Sequence, residues 1–185
     1  MQNVLTAKNR EEFRDWLEKN AEKESECWLT LKRGRPKDDG CFYYLDAVEE
    51  ALCFGWIDST QKIVDGAHYQ RFSPRKKNSP WSELNKERVR RLEKLGLMRD
   101  GGRAVLPDMG FVPDEDVWAE IERAGVLEKL LEFPPLYVRV RMYNVAFFKN
   151  RDKAAYERAL AHLIEETKKG RMFGEWNDYG RLLEY

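Results

Sequence analysis

Two alternating segments, residues 56–64 and 67–73, flank the dipeptide Asp65-Gly66. Asp-Gly between extended runs specifies a two-residue hairpin, because both turn positions need positive φ. No other feature constrains the chain as much, since this one commits its middle to antiparallel β-structure. The turn implies a register, with Val64 opposite Ala67, Lys62 opposite Tyr69, Thr60 opposite Arg71 and Asp58 opposite Ser73. Alternation then puts Trp56, Asp58, Thr60, Lys62, Tyr69, Arg71, Ser73 and Arg75 on one face. Ile57, Ile63, Phe72 and Pro74 share the other, with Ser59, Gln61, His68 and Gln70 between them, and this face is expected to pack on the core.

Helical signals surround the hairpin. Asn9 with Glu12 has capping-box spacing, and Phe13, Trp16 and Leu17 follow as an apolar stripe. Residues 26–32 read as a strand with Cys27, Leu29 and Leu31 on one side, and the Gly, Pro and Asp content of 33–40 reads as a loop. Residues 45–54 form a second expected helix, with Leu45, Val48 and Leu52 facing inward and Gly55 as its stop. Ser79-Pro80 is expected to open a third helix, since Ser caps well and Pro suits the first helical position. Further on, Asp114 is expected to cap a helix to Ala124, with shorter and longer helices over 126–133 and 152–169. Residues 136–149 fit both a strand (Val138, Val140, Met142) and a helix (Leu136, Val140, Tyr143, Phe147). The expected fold class is α+β: a small antiparallel sheet with a hairpin packed by helices over 1–98, then a mainly helical part over 99–185.

Formal net charge is zero, which argues against a polycation that seeks nucleic acid or membrane. The charge is uneven, however. Residues 1–60 hold nine Lys/Arg and thirteen Asp/Glu, whereas 71–94 hold nine and three, so the second stretch suits an anion. Cys27, Cys41 and Cys53 are an odd set without CxxC spacing, and two His, His68 and His162, leave too few ligands for zinc. Reduced, mostly buried thiols and no metal or cofactor are expected. His68 is expected to be a hydrogen-bonded packing residue, and Gly101-Gly102 alone does not make a phosphate loop. No apolar run reaches the ~20 residues that span a bilayer, and the start lacks an export signal, so a cytoplasmic location is expected.

Three blocks carry a resemblance. Residues 51–58 (ALCFGWID), 70–76 (QRFSPRK) and 79–82 (SPWS), with Asn85 and Arg88, resemble the YdeI/OmpD-associated, bacteriocin-protection family over about 13–103. The last third is less similar. The family's usual Ala-Lys…Glu-Thr-Arg pattern falls at 147–158, where Lys149 is the one counterpart. The resemblance implies a family of uncertain reaction and transfers no catalytic residue; a small-molecule binding or stress-related accessory protein is the first functional expectation. A secreted OB-fold group carries a similar label, but its fold and compartment are not expected here.

The candidate site draws these threads together. A helix start after the hairpin offers unsatisfied N–H groups, and Arg71 and Arg75 add forked donors, which together suit a small anion. Trp56, Tyr69 and Trp81 would stack on a planar ligand, with Asp58, Ser79, Ser82 and Asn85 around it. The first reading is therefore a small anionic ligand bound between 56–73 and the start of helix 80–95. The second is a metal-independent enzyme with Asp58 as base and Arg71 and Arg75 as stabilisers of a developing anion. The third is nucleic-acid binding through 71–94, with Tyr69, Phe72 and Trp81 stacking on bases. Each residue also has a purely structural alternative: an Asp58–Arg71 cross-strand pair, core tryptophans, or a capping serine.

Overall fold

In the computed structural model, which describes residues 1–185, the chain is α+β, and its contacts divide it into two compact units. The first holds Met1–Pro80, Arg88–Pro107 and Tyr185; the second holds Trp81–Glu87 and Asp108–Glu184. No helix is long and apolar enough to cross a membrane.

The first unit runs α1 (Arg10–Asn20), β1 (Cys27–Thr30), α2 (Tyr44–Cys53), β2 (Trp56–Val64), β3 (Ala67–Pro74), most of α3 (Glu83–Lys94) and the short α4 (Asp100–Arg103). The strands form one antiparallel sheet in the order β1-β3-β2. The turn falls at Asp65 (φ 50°) and Gly66 (φ 79°), as their dipeptide demands. Asn9 caps α1 by accepting the Glu12 N–H at 2.9 Å, and Glu12 accepts in return from the Lys8 N–H. Phe13 of α1 lies 5.5 Å from Phe72 of β3, and Trp16 meets Trp56 edge-on at 5.7 Å. These rings and the buried Cys27 and Leu29 form the core on one side of the sheet.

Helix α2 is buried on every side, including its charged one. Asp46, Glu49 and Glu50 stand at i, i+3 and i+4 and so share a face. Arg10 reaches all three carboxylates, at 3.2, 2.7 and 2.6 Å. Arg14 adds a 2.8 Å bond to Glu50, and Arg91 of α3 a 3.0 Å bond to Glu49. Burial acts to lower the Arg10 pKa, but the flanking Glu49 and Glu50 outweigh it and hold the guanidinium well above its usual range. Where α2 ends, Gly55 takes φ +75° and its N–H bonds Leu52 O. Gly102 serves close packing: a Cβ there would lie 2.3 Å from Cys53 O and 2.9 Å from Leu52 O.

The second unit holds α5 (Glu115–Arg123), α6 (Leu127–Leu131), α7 (Pro135–Phe148) and α8 (Lys153–Lys168), with the first turn of α3. Asp114 and Asp152 cap α5 and α8. Residues 136–149 are helical. Pro135 stands at the first helical turn, and Leu136, Tyr137, Val138, Val140, Arg141, Met142 and Val145 are all buried. A helix buried over most of its circumference shows no single apolar stripe, which is why its alternation resembles a strand. Tyr137, in its first turn, is edge-on to Phe133, Phe173 and Trp176.

Candidate functional site

The hairpin register holds near the turn and changes beyond it. Val64 pairs with Ala67, Ile63 with His68, Lys62 with Tyr69 and Gln61 with Gln70, but then Asp58 pairs with Phe72, Ile57 with Ser73 and Trp56 with Pro74. Three steps on β2 match two on β3, so one extra residue is bulged out between Asp58 and Gln61. A one-residue slip turns every later side chain to the other face. This corrects the expected pairings of Thr60 and Asp58 and the expected shared face of Asp58 and Arg71. The buried amide of Gln70 sits at the bulge, its Nε2 within 3.3 Å of Ser59 O and 3.4 Å of Thr60 O.

The bulge decides where each expected site residue lies. Asp58 turns to the Phe72 side and accepts a 2.6 Å hydrogen bond from the Tyr44 hydroxyl. Arg71 points the other way. Its Nε donates to Glu26 at 2.6 Å, and its Nη1 donates to Ser59 Oγ at 3.2 Å. Trp56 is a core residue whose indole N–H donates to Ala21 O, and Ile57 and Ile63 do not form the core: Ile57 is half-buried and Ile63 is exposed. Arg75 is buried and donates to Pro80 O at 3.0 Å. Ser79 makes a turn with Lys76 and does not start the helix; α3 starts at Glu83, with Ser82 Oγ accepting the Asn85 N–H. The correction has a local cause, since Ser82 has Asn85 as its third helical residue and so satisfies one of the helix's free donors. Trp81, Ser82 and Asn85 thus belong to the second unit, and the other six expected site residues to the first.

One concavity opens on the sheet face of the first unit. It has a volume of about 320 Å³ and is lined by Leu31, Arg33, Gln61, His68, Tyr69 and Gln70. Of the expected site residues, Tyr69 lines it, and Asp58 stands behind it through Tyr44. Arg33 lies 3.7 Å over the Tyr44 ring, and its Nη2 donates to Gln70 Oε1 at 2.7 Å. Gln61 donates to the same oxygen at 3.2 Å. The chain of contacts therefore runs Asp58, Tyr44, Arg33, Gln70, Gln61, and the amide that holds the bulge also holds the arginine. Burial, and then the charge of Asp58, push the Tyr44 hydroxyl up to about 12, so it remains a hydrogen-bond donor at neutral pH.

Arg33 is exposed and pairs with no carboxylate, and no acid lines the concavity. His68 is exposed and makes no hydrogen bond, so it is not a packing residue. Sequence reasoning missed Arg33, Gln61, His68 and Gln70. One signal was available, the basic loop Arg33-Gly34-Arg35-Pro36-Lys37 directly after a strand.

The thiols give a check on the fold. Burial pushes Cys27 up to about 12 and Cys53 up to about 11, while Cys41 is exposed. A thiol-specific reagent is expected to label Cys41 rapidly in the native protein and to reach Cys27 and Cys53 only on unfolding. Rapid labelling of all three would contradict the packing of β1 and α2.

The concavity lies in the α+β unit, and the other unit is helical. Residues 5–105 match the family described as Domain of unknown function (DUF8412), and the chain belongs to that family. The matched stretch contains every residue lining the concavity. No curated protein and no solved structure matches the chain.

Proposed function

We propose that the chain binds a small molecule carrying a carboxylate or phosphate group, in the sheet-face concavity of its first unit. The observation that carries this reading is the state of Arg33. Its guanidinium is held by Tyr44 and Gln70, opens on a cavity without acids, and has no carboxylate of its own. A planar fork fixed in advance binds a carboxylate or phosphate with little further loss of freedom. His68 and the Gln61 amide supply further donors on the same wall, and Tyr69 supplies an aromatic edge.

The other readings have less support. As a base, Asp58 has one oxygen engaged by Tyr44, while Arg71 and Arg75 are held by Glu26 and Pro80 O. As a nucleic-acid surface, the basic stretch has much of its charge engaged: Arg71 on Glu26, Lys86 on Glu83 and Arg91 on Glu49. A stress-related accessory role agrees with ligand binding and requires no reaction.

A thermal-shift series with benzoate, phenyl phosphate and inorganic phosphate tests the proposal on three proteins: wild type, Arg33→Ala and Arg71→Ala. The ligand that stabilises wild type is expected to stabilise Arg71→Ala equally and to bind Arg33→Ala at least ~10-fold more weakly, the loss expected for one charge-assisted hydrogen bond. Equal stabilisation of Arg33→Ala would reject the site. Without ligand, Arg71→Ala should cost no more than about 1 kcal/mol, because its pair with Glu26 is partly exposed.

A further inference from the structure

The second unit contains a cavity of about 400 Å³ whose chemistry is opposite to that of the first. Its apolar wall is made by Trp81, Phe111, Met142 and Tyr143. Trp81 and Met142 are buried, and Phe111 and Tyr143 are half-buried. The lining carries three carboxylates, Glu83, Asp108 and Asp114, against one ammonium, Lys86. That ammonium is engaged, pairing with Glu83 at 2.9 Å and donating to Gly110 O at 2.8 Å. From behind, Arg139 neutralises Glu83 at 3.3 Å and Lys149 meets Asp114 at 2.9 Å. Asp108 has no cation; its Oδ1 accepts only the Gly110 N–H, at 2.8 Å. The cavity thus combines an aromatic lining with one exposed carboxylate that no cation pairs.

We propose that this cavity is a binding site for a small organic cation, with an alkylammonium group held near Asp108 and an aromatic or alkyl body against Trp81, Phe111 and Tyr143. Asp108 supplies the charge recognition. The buried ion pairs of Glu83 fix the wall in advance, so they do not need to rearrange for a ligand. The site shares no residue with the anion site of the first unit, and neither proposal depends on the other.

Titration of the full chain by NMR, followed at the Trp81 indole N–H, tests this with three probes of similar size: benzyltrimethylammonium, benzyl alcohol and benzoate. The cation is expected to saturate the shift, and the alcohol and benzoate to bind ~5-fold more weakly, as pairing of the ammonium with one exposed carboxylate predicts. Asp108→Asn keeps the acceptor for Gly110 and should weaken the cation by ~5-fold while leaving the alcohol unchanged. Tyr143→Leu should weaken both, and Arg33→Ala should affect neither. Equal binding of alcohol and cation, a preference for benzoate, or an Asp108→Asn protein that binds the cation like wild type would each overturn the proposal.

Discussion

Glu49→Gln is expected to destabilise the protein by about 3–5 kcal/mol, read as a lower urea midpoint at unchanged slope. Glu49 is fully buried and bonds two arginines, Arg10 at 2.7 Å and Arg91 at 3.0 Å. Removing its charge leaves two partly exposed guanidinium groups with less compensation around a fully buried side chain. Arg10 keeps Asp46 and Glu50, whereas Arg91 loses the carboxylate it pairs with. Arg91→Met should therefore recover part of the loss when combined with Glu49→Gln, since removing the second charge as well avoids an orphaned guanidinium. A change below about 1 kcal/mol for Glu49→Gln would mean that the neutral amide, with solvent at the guanidinium groups, replaces the buried charge without loss.

The second large effect is expected at Gln70. Gln70→Leu should cost about 2–4 kcal/mol, the sum of several unmade hydrogen bonds at a buried amide. One side chain there joins two carbonyls of the bulge to Arg33 and Gln61. The same substitution should also weaken anion binding, because Arg33 loses its tether. Gln70→Glu should lose both as well, since it gives Arg33 a carboxylate partner inside the site and turns the donor that faces the bulge carbonyls into an acceptor; Arg33→Ala separates the two effects, removing binding while the Gln70 amide still holds the bulge. A Gln70→Leu protein as stable as wild type would show that the backbone makes the bulge without this amide.

Local rules reached part of this fold. Asp65-Gly66 fixed the hairpin, and Asn9, Asp114 and Asp152 marked helix starts, since each acts on backbone groups within three residues. Around the bulge, Asp58-Ser59-Thr60-Gln61 has neither Gly nor Pro to announce a slip, and the stabilising amide comes from the neighbouring strand. Alternation carried through an unseen bulge therefore assigned Asp58 to the wrong side, and the arrangement of the candidate site with it. At the start of α3, two serines competed. Pro80 favoured the first, but Ser82 is the one whose hydroxyl reaches a free N–H. The acidic face of α2 would ordinarily meet water; partners 36 to 42 residues distant in sequence bury it instead. Arg33 was hidden for the same reason, because its value as a donor depends on the Tyr44 ring beneath it and on Gln70 from β3.

The most direct test is a backbone and side-chain NMR titration of the full chain with phenyl phosphate. Saturable shifts are predicted at Arg33 Nε, the Gln61 and Gln70 side-chain amides and the His68 ring, with little change at Arg71. No saturation, or shifts centred on Arg71 and Arg75 with Arg33 unmoved, would contradict the assignment of the anion site to the sheet-face concavity.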